Sequence, residues 1–321
     1  MIQERAMGLD VSALSCTSGA PGYRSADYAA SFAHLGAPLR LAASGGYVLE
    51  RVIPGMELKD AIGMVPLFDC DDWDALEGDL QALAAAYVSL VLIPTPFCGL
   101  DAARMSALFP ALVREYKRHY VVDLDDVWES GVSRHHRYYA RRGLKTVTVT
   151  RCTGDPSRWT DRWVALYGEL ARRHGITGIY DLPPSALAAQ LTVPGMQLYI
   201  AQRHDTVLGM QLWLRDATRA YHHLSAYSDD GYRGRVSYAM VYAALSELAA
   251  QGVRKADLGA GAGQGGNGSQ GLDTFKAGWT PHVLPVYLCG RVFHEQHYRD
   301  LCAGGRGNGP YFPAYRGWKT P

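Results

Sequence analysis

The alternation of apolar and polar positions is clearest over residues 220–279. Tyr221, His223, Ser225 and Tyr227 alternate with His222, Leu224 and Ala226. This is the period of two that a strand requires, and it places the first four residues on one face. Asp229-Asp230-Gly231 predicts a tight turn whose carboxylates suit the start of the helix that follows. From Val236 to Ala250 only Glu247 is charged; Tyr238, Val241, Leu245 and Leu248 mark one stripe, and Met240 and Ala244 extend it. A helix apolar nearly all round must be buried on more than one side. Gln251-Gly252 ends it, 254–258 predicts a second strand, and a Gly-rich loop leads to a short helix over 271–279.

Upstream, Gly45-Gly46 predicts a hairpin over 39–52, and Asp69-Cys70-Asp71-Asp72-Trp73 caps a helix over 73–87. A buried strand over 88–94, a helix over 102–117 and a strand over 120–124 follow, an alternation that implies packed α/β layers. Asp123, Asp125, Asp126 and Glu129 read as a solvated turn or helix cap in preference to metal ligands, two of them falling on opposite faces of a strand end. Residues 146–151 predict a strand and 157–174 a helix closed by Gly175; Leu182-Pro183-Pro184-Ser185 caps a shorter one. Three runs, 196–203, 207–214 and 220–227, form an antiparallel meander. Residues 1–30 predict no firm element. After Val292, the apolar Tyr311, Phe312, Tyr315 and Trp318 predict a tail that returns to pack on the first half.

The 321 residues, 48% apolar, suffice for one large or two ordinary cores. A net charge of +1 draws the chain neither to nucleic acid nor to anionic membrane, so any contact with RNA needs a local patch. Residues 133–145 (SRHHRYYARRGLK) are the one basic cluster: at helical spacing Arg134, Arg137 and Arg141 share a face, as do His135, Tyr138 and Arg142. Such a face suits RNA phosphates with Tyr138 and Tyr139 for stacking; a solvated helix between two domains is the other reading. Cysteines 16, 70, 98, 152, 289 and 302 show no metal-like spacing and read as reduced thiols. No apolar run nears 18 residues and Met1-Ile2-Gln3-Glu4-Arg5 lacks a signal peptide's hydrophobic region, which predicts a cytoplasmic protein without membrane insertion.

Strand, turn, helix and strand in this order resemble the acyl-binding half of the GNAT N-acyltransferase fold. There a turn reading R-G-x-G-x-G/A exposes N–H groups to the pyrophosphate of coenzyme A. Tyr232-Arg233-Gly234-Arg235-Val236-Ser237-Tyr238 keeps Arg-Gly-Arg but has Val236 and Tyr238 where that family has small residues, and a Cβ there obstructs approach to phosphate. Together with Gly271-Leu272-Asp273-Thr274-Phe275-Lys276-Ala277-Gly278-Trp279, similar to an F-K-x-G-[FW] signature, the sequence resembles the Fem branch of peptidoglycan-bridge aminoacyltransferases. The resemblance is good over 195–292, weaker over 120–195 and thin before that.

The resemblance implies an α/β (α+β) protein of two GNAT-like domains, with mixed, largely antiparallel central sheets flanked by helices. Residues 1–145 plus the tail 292–321 would form a degenerate domain and 146–291 the acyltransferase domain. It implies amide formation on a small peptide-like metabolite or cell-wall precursor. The donor is aminoacyl-tRNA, with acyl-CoA as the alternative, and no resident cofactor or metal. Lys276 and Phe275 are the catalytic candidates; a surface lysine on an amphipathic helix is the other reading. Tyr227, Asp229, Tyr232, Arg235 and His223 are acceptor-site candidates, and Tyr221, His223 and Tyr227 are candidates to relay a proton. Arg137, Arg141 and Arg142, with Gly259 and Gly261, are assigned to the donor. A non-catalytic module on the same scaffold is weakened by the intact Phe275-Lys276.

Asp257-Leu258-Gly259-Ala260-Gly261-Ala262-Gly263 also matches the D-x-G-x-G-x-G loop of methyltransferases, and Gly261, Gly263 and Gly266 a dinucleotide fingerprint. Both need a helix directly after the loop, which Gly265-Gly266-Asn267-Gly268-Ser269 is expected not to start, and more chain than remains. His222 and His223 point oppositely on a strand and cannot chelate one ion together.

Overall fold

A computed structural model describes residues 21–261, 267–303 and 311–317. In chain order it comprises α1 (Ala26–Ala30), β1 (Ala37–Arg40), β2 (Tyr47–Val52), β3 (Lys59–Gly63), α2 (Leu76–Leu83), β4 (Ser89–Leu92), α3 (Ala102–Leu108) and β5 (Leu112–Asp123). There follow α4 (Arg134–Gly143), β6 (Thr148–Arg151), α5 (Thr160–His174), α6 (Pro184–Leu191), β7 (Met196–Arg203), β8 (Thr206–Arg215), β9 (Arg219–Tyr227) and α7 (Asp229–Arg233). The last elements are α8 (Val236–Ala250), β10 (Lys255–Asp257), α9 (Asn267–Ala277), β11 (Val283–Val292) and α10 (Glu295–Ala303).

The strands join in the order β1-β2-β3-β4-β11-β5-β10-β9-β8-β7-β6. All neighbours are antiparallel except β3–β4 and β9–β10. One pattern therefore occurs twice. The meander β1-β2-β3 meets β4 in parallel, and β4 has β11 as its antiparallel neighbour; the meander β7-β8-β9 meets β10 in parallel, and β10 has β5. The sheet is mixed and largely antiparallel, as the α+β expectation required. β5 is its seam: residues 112–120 pair with β11 and 121–123 with β10.

α8 is the central helix. Val236, Ala239, Met240, Val241, Ala244, Leu245 and Leu248 are all 1% exposed or less, between the second meander on one side and α4 on the other. Full burial of each larger side chain contributes about 1.5–3 kcal/mol. Its one charge, Glu247, is paired with Arg151 and accepts from Gln251 Nε2 at 3.1 Å.

Four expectations change. The helix over 102–117 stops at Leu108, because Pro110 excludes Phe109 from helical dihedrals and has no N–H to continue the ladder. Residues 112–117 are strand, which puts Lys117 and His119 on one face. Asp229-Asp230-Gly231 opens a helical turn instead of a tight turn, because Ser228 Oγ caps it by accepting from Gly231 N at 3.1 Å. Asn267-Gly268-Ser269 lies within α9, where tertiary packing of the helix overrides poor local propensity. Finally, a register shift between Leu212 and Trp213 bulges the β8–β9 ladder, so Tyr221 and His223 face one layer while Ser225 and Tyr227 face the other.

The tail does return. Tyr315 is buried, with its hydroxyl 2.8 Å from Ser89 Oγ and 3.0 Å from Asp60 Oδ2, and Arg316 Nε donates to the same carboxylate at 2.8 Å. Tyr311 is exposed, and Trp318 lies outside the described residues. No helix among the described residues is long and apolar enough to cross a membrane.

Candidate active site

β9 and β10 pair only over 219–221 and 255–257; β10 then ends while β9 runs on to Tyr227. Beyond that point the sheet is open between them, and helices from both layers reach the gap. A cavity of about 830 Å³ fills it, walled by Tyr167 and Leu170 of α5, Leu224 and Tyr227 of β9, Val241 of α8, and Phe275 with Trp279. These walls are mostly apolar. Lys117, Tyr180, His222, Leu258 and Lys276 are shared with a second cavity of about 160 Å³, lined by polar and apolar groups alike.

In the smaller cavity three elements converge. His119 on β5 places Nδ1 2.8 Å from Asp257 Oδ2 at the end of β10, and the other oxygen of Asp257 accepts from Gly259 N at 2.7 Å. Lys276 Nζ from α9 donates to the carbonyl of Ala260 at 2.5 Å, and Lys117 Nζ to that of Gly261 at 3.3 Å. Gly259 has φ +73°, which favours glycine, and a Cβ on Gly261 would overlap the Asp273 carboxylate. The loop is glycine-rich where two lysines and a carboxylate press against its backbone.

Lys276 is buried, and burial brings its ammonium down from 10.5 to about 8; Asp257 and Asp273 oppose the shift and Lys117 adds to it. Burial lowers Lys117 as well. Burial, with Lys276 as a lesser cause, pushes His222 down to about 3, and burial alone does the same to His223. Both imidazoles are therefore neutral at physiological pH. Among the described residues no group of three or more His, Cys, Asp or Glu is arranged to hold a metal. Asp123 pairs with Lys255, Asp125 accepts from Val127 N at 3.0 Å, and Glu129 accepts from Tyr242 at 2.7 Å.

The basic helix α4 is locked to the segment that presents Lys276. His136, buried, is held between Ser133 Oγ at 2.8 Å and the carbonyl of Phe275 at 2.8 Å, and its ring lies against Gly278. On the opposite face Arg134, Arg137, Arg141, Arg142, Tyr138 and Lys145 line a groove of about 550 Å³. Tyr139 of α4 stacks under the Arg235 guanidinium, 4.3 Å from the ring centroid, at the start of α8. Val236 points into the core, so its Cβ is not what occupies that helix end; Tyr238 joins an aromatic cluster with His136, Phe275 and Trp279. The steric reason expected from the sequence for a blocked phosphate turn is thus corrected: the ring at that end is Tyr139.

The structure brings Lys276, Gly259, Gly261 and His223 to the small cavity, and Lys276, Phe275, Tyr227 and Tyr232 to the large one. Asp229 is paired with Arg173 beside Tyr232, and Arg235 is engaged by Tyr139, so neither is among the cavity walls. Of the proton-relay candidates, His223 lies between Tyr23 (3.4 Å) and Gln190 (3.1 Å) on the far face from Tyr227, whose hydroxyl accepts from Gln211 at 2.7 Å. Burial raises Tyr221 far above the ordinary phenol range and Tyr227 to about 12. His119, Asp257, Lys117 and His136 went unnoticed as site residues. A helix over 102–117 hides Lys117, and His119 falls in the gap between it and the strand expected over 120–124. Asp257 was visible only as the head of a glycine loop.

The family model described as an acetyltransferase (GNAT) domain matches residues 130–267. The crystal structure of FemX is similar over 88% of this chain and 95% of that one, with a TM-score of 0.65 at 14% identity. The C-terminal domain of a putative lysylphosphatidylglycerol synthetase from Agrobacterium fabrum aligns over 82% and 87% (TM-score 0.59, 14% identity), and L-PGS from Bacillus licheniformis over 85% and 93% (0.54, 15%). No protein of curated function matches the sequence significantly. The open β9–β10 pair and α8 thus lie within the residues that match an acetyltransferase (GNAT) domain, set within a fold that this chain shares with FemX, the Agrobacterium fabrum domain and L-PGS.

Proposed function

We propose that the protein transfers an amino acid from aminoacyl-tRNA to the amine of a small peptide-like acceptor, forming an amide. The observation that carries this is the coupling of a basic groove to the lysine segment through His136, which registers a phosphate-binding surface against the place where an ester would react. Five cations around one tyrosine suit a polyphosphate strand with an unstacked base. The acceptor end would then pass between β9 and β10, with its ester carbonyl at Lys276. The amine attacks that carbonyl, and the Lys276 ammonium stabilises the oxyanion as it forms. Phe275 and Trp279 exclude water that would hydrolyse the ester.

For the acceptor, Arg173 and Arg233 are engaged by Asp229 and Asp230, and Arg235 by Tyr139. With these cations committed, a small amine beside Tyr227 and Tyr232 fits better than a diphosphate-bearing wall precursor. On this reading residues 146–291 make up the acyltransferase half and 1–145 with 292–321 the other, except that β11 sits beside β4 in the first half while β5 and α4 pack into the second. Acyl-CoA is the second donor, favoured by the acetyltransferase description of the matching family and by the Arg233-Gly234-Arg235 turn.

Incubation with cell extract and either charged tRNA pools or acetyl-CoA, followed by mass spectrometry of new amides, separates the two. We expect products that ribonuclease abolishes and acetyl-CoA does not restore. Saturable calorimetric binding of coenzyme A at residues 233–238 would overturn the tRNA assignment. Replacing Arg137, Arg141 and Arg142 together by Gln should leave the melting temperature near its original value, since what they give up, the bond from Arg137 to the Glu129 carbonyl at 3.2 Å and the exposed pair of Arg141 with its carboxylate at 3.6 Å, contributes little. Donor affinity should fall, and the salt slope flatten by about two, because three fewer counterions are released from a single strand. An unchanged slope would return α4 to a solvated, connecting role.

A further inference from the structure

We propose that His119, oriented by Asp257, is the base that takes the proton from the attacking amine and returns it to the leaving oxygen. The inference rests on the acyl-transfer reading above and adds a catalytic residue to it.

The geometry is that of an imidazole fixed by a carboxylate. Asp257 is 2% exposed and uses one oxygen on His119 Nδ1 and the other on Gly259 N, so it is held as an acceptor and sets the imidazole with its proton on Nδ1. Nε2 then carries the lone pair. Among the described residues it has no hydrogen-bond partner, and it is not one of the buried polar atoms left unsatisfied. His119 borders the small cavity together with Lys276. The three histidines of that cavity are not equivalent: His222 stacks on Trp213 and His223 is held by Tyr23 and Gln190, both with basicity suppressed by burial. Only His119 has a carboxylate behind it.

The steps balance as follows. The amine nitrogen attacks the ester carbonyl carbon, and as the C–N bond forms one amine proton passes to Nε2. The tetrahedral oxyanion, beside Lys276, collapses; the bond from carbon to the ribose oxygen breaks. The proton on Nε2 then goes to that oxygen, giving a free ribose hydroxyl and a neutral His119. Asp257 keeps its charge throughout and acts as a positioning residue.

The alternative is that the pair only ties β5 to the start of the glycine loop. H119Q and D257N, measured with charged tRNA pools and extract as amine source, decide between them. We expect H119Q to lose about a hundredfold or more in turnover at unchanged half-saturation by donor, and D257N to follow in turnover alone. H119G should regain part of its turnover with millimolar imidazole, which enters the vacated space, whereas H119Q and K276M should not. Rescue separates a proton carrier from a strut, since free imidazole, no longer attached to β5, cannot tie that strand to the loop. An active wild type with H119Q unaffected, or an H119G that keeps its melting temperature and gains nothing from imidazole, overturns this role and leaves acyl transfer standing. A wild type inactive with both charged tRNA and acetyl-CoA overturns acyl transfer and this role with it.

Discussion

K276M should lose about a hundredfold to a thousandfold in turnover, the usual effect of removing one group that stabilises an oxyanion, equal to about 2.7–4 kcal/mol. The ammonium lies where negative charge grows during attack, so it favours the transition state over the bound substrates and acceptor affinity should change little. Met retains the apolar stem, and the variant gives up one hydrogen bond to the Ala260 carbonyl along with a buried charge that folding does not favour. The fold should therefore persist. Arg should rescue poorly, because its broad fork does not fit where a compact ammonium touches Ala260 and approaches Gly259. Near-normal turnover with reduced melting temperature would make Lys276 structural.

The same residue sets a pH signature. Its protonated form is the active one and its folded value is about 8, so turnover should decline as pH rises through about 8. Its own contribution to stability should move the other way. The unfolded lysine, near 10.5, binds more protons than the folded one between about 8 and 10.5, so in that window the wild type should gain stability relative to K276M as pH rises. Buried thiols and phenols such as Cys70, Cys289 and Tyr221, raised by burial, pull the other way in both proteins, and the comparison with K276M isolates the lysine. K117M removes a neighbouring cation that lowers Lys276, and should move the alkaline limb upward. A limb that stays put would remove Lys117 from this electrostatic picture.

G278A should be the most damaging single methyl group in the site. A Cβ at Gly278 would overlap the ring of His136, which is buried and bonded at both nitrogens and cannot swing aside. Overpacking of this kind costs about 1–3 kcal/mol, and relief by displacing His136 would release Phe275 and with it the neighbouring Lys276. We expect a lower melting temperature together with at least a tenfold loss of turnover. Pairing it with H136A should recover part of the lost stability, since the two changes share one space. Strictly additive losses would show that α4 and α9 are not in contact through this pair.

The elements with strong periodicity were legible. α8 has the bounds its pattern predicts, because only a helix packed on two sides tolerates fifteen residues with one charge. The meander 196–227, the left-handed Gly175 that ends α5 and the returning Tyr315 were equally plain. Failures had physical causes. The helix assigned to 102–117 overlooked one proline, and with it the strand that carries Lys117 and His119. The shared face assigned to Tyr221, His223 and Tyr227 assumed a regular ladder, whereas a bulge, which alternation does not reveal, splits it.

By itself, the sequence determined the meander over 196–227, the central helix over 236–250 and the lysine motif at 275–279, since these depend on local period and composition. Tertiary structure alone decided what that lysine stands beside. Asp257 and His119 are 138 positions apart and meet because β5 and β10 pair antiparallel; His136 and Phe275 are 139 apart and meet because α4 packs on α8. No local signal encodes such distances. They are set when the sheet closes through β5 and its two neighbours bring their chemistry to one seam.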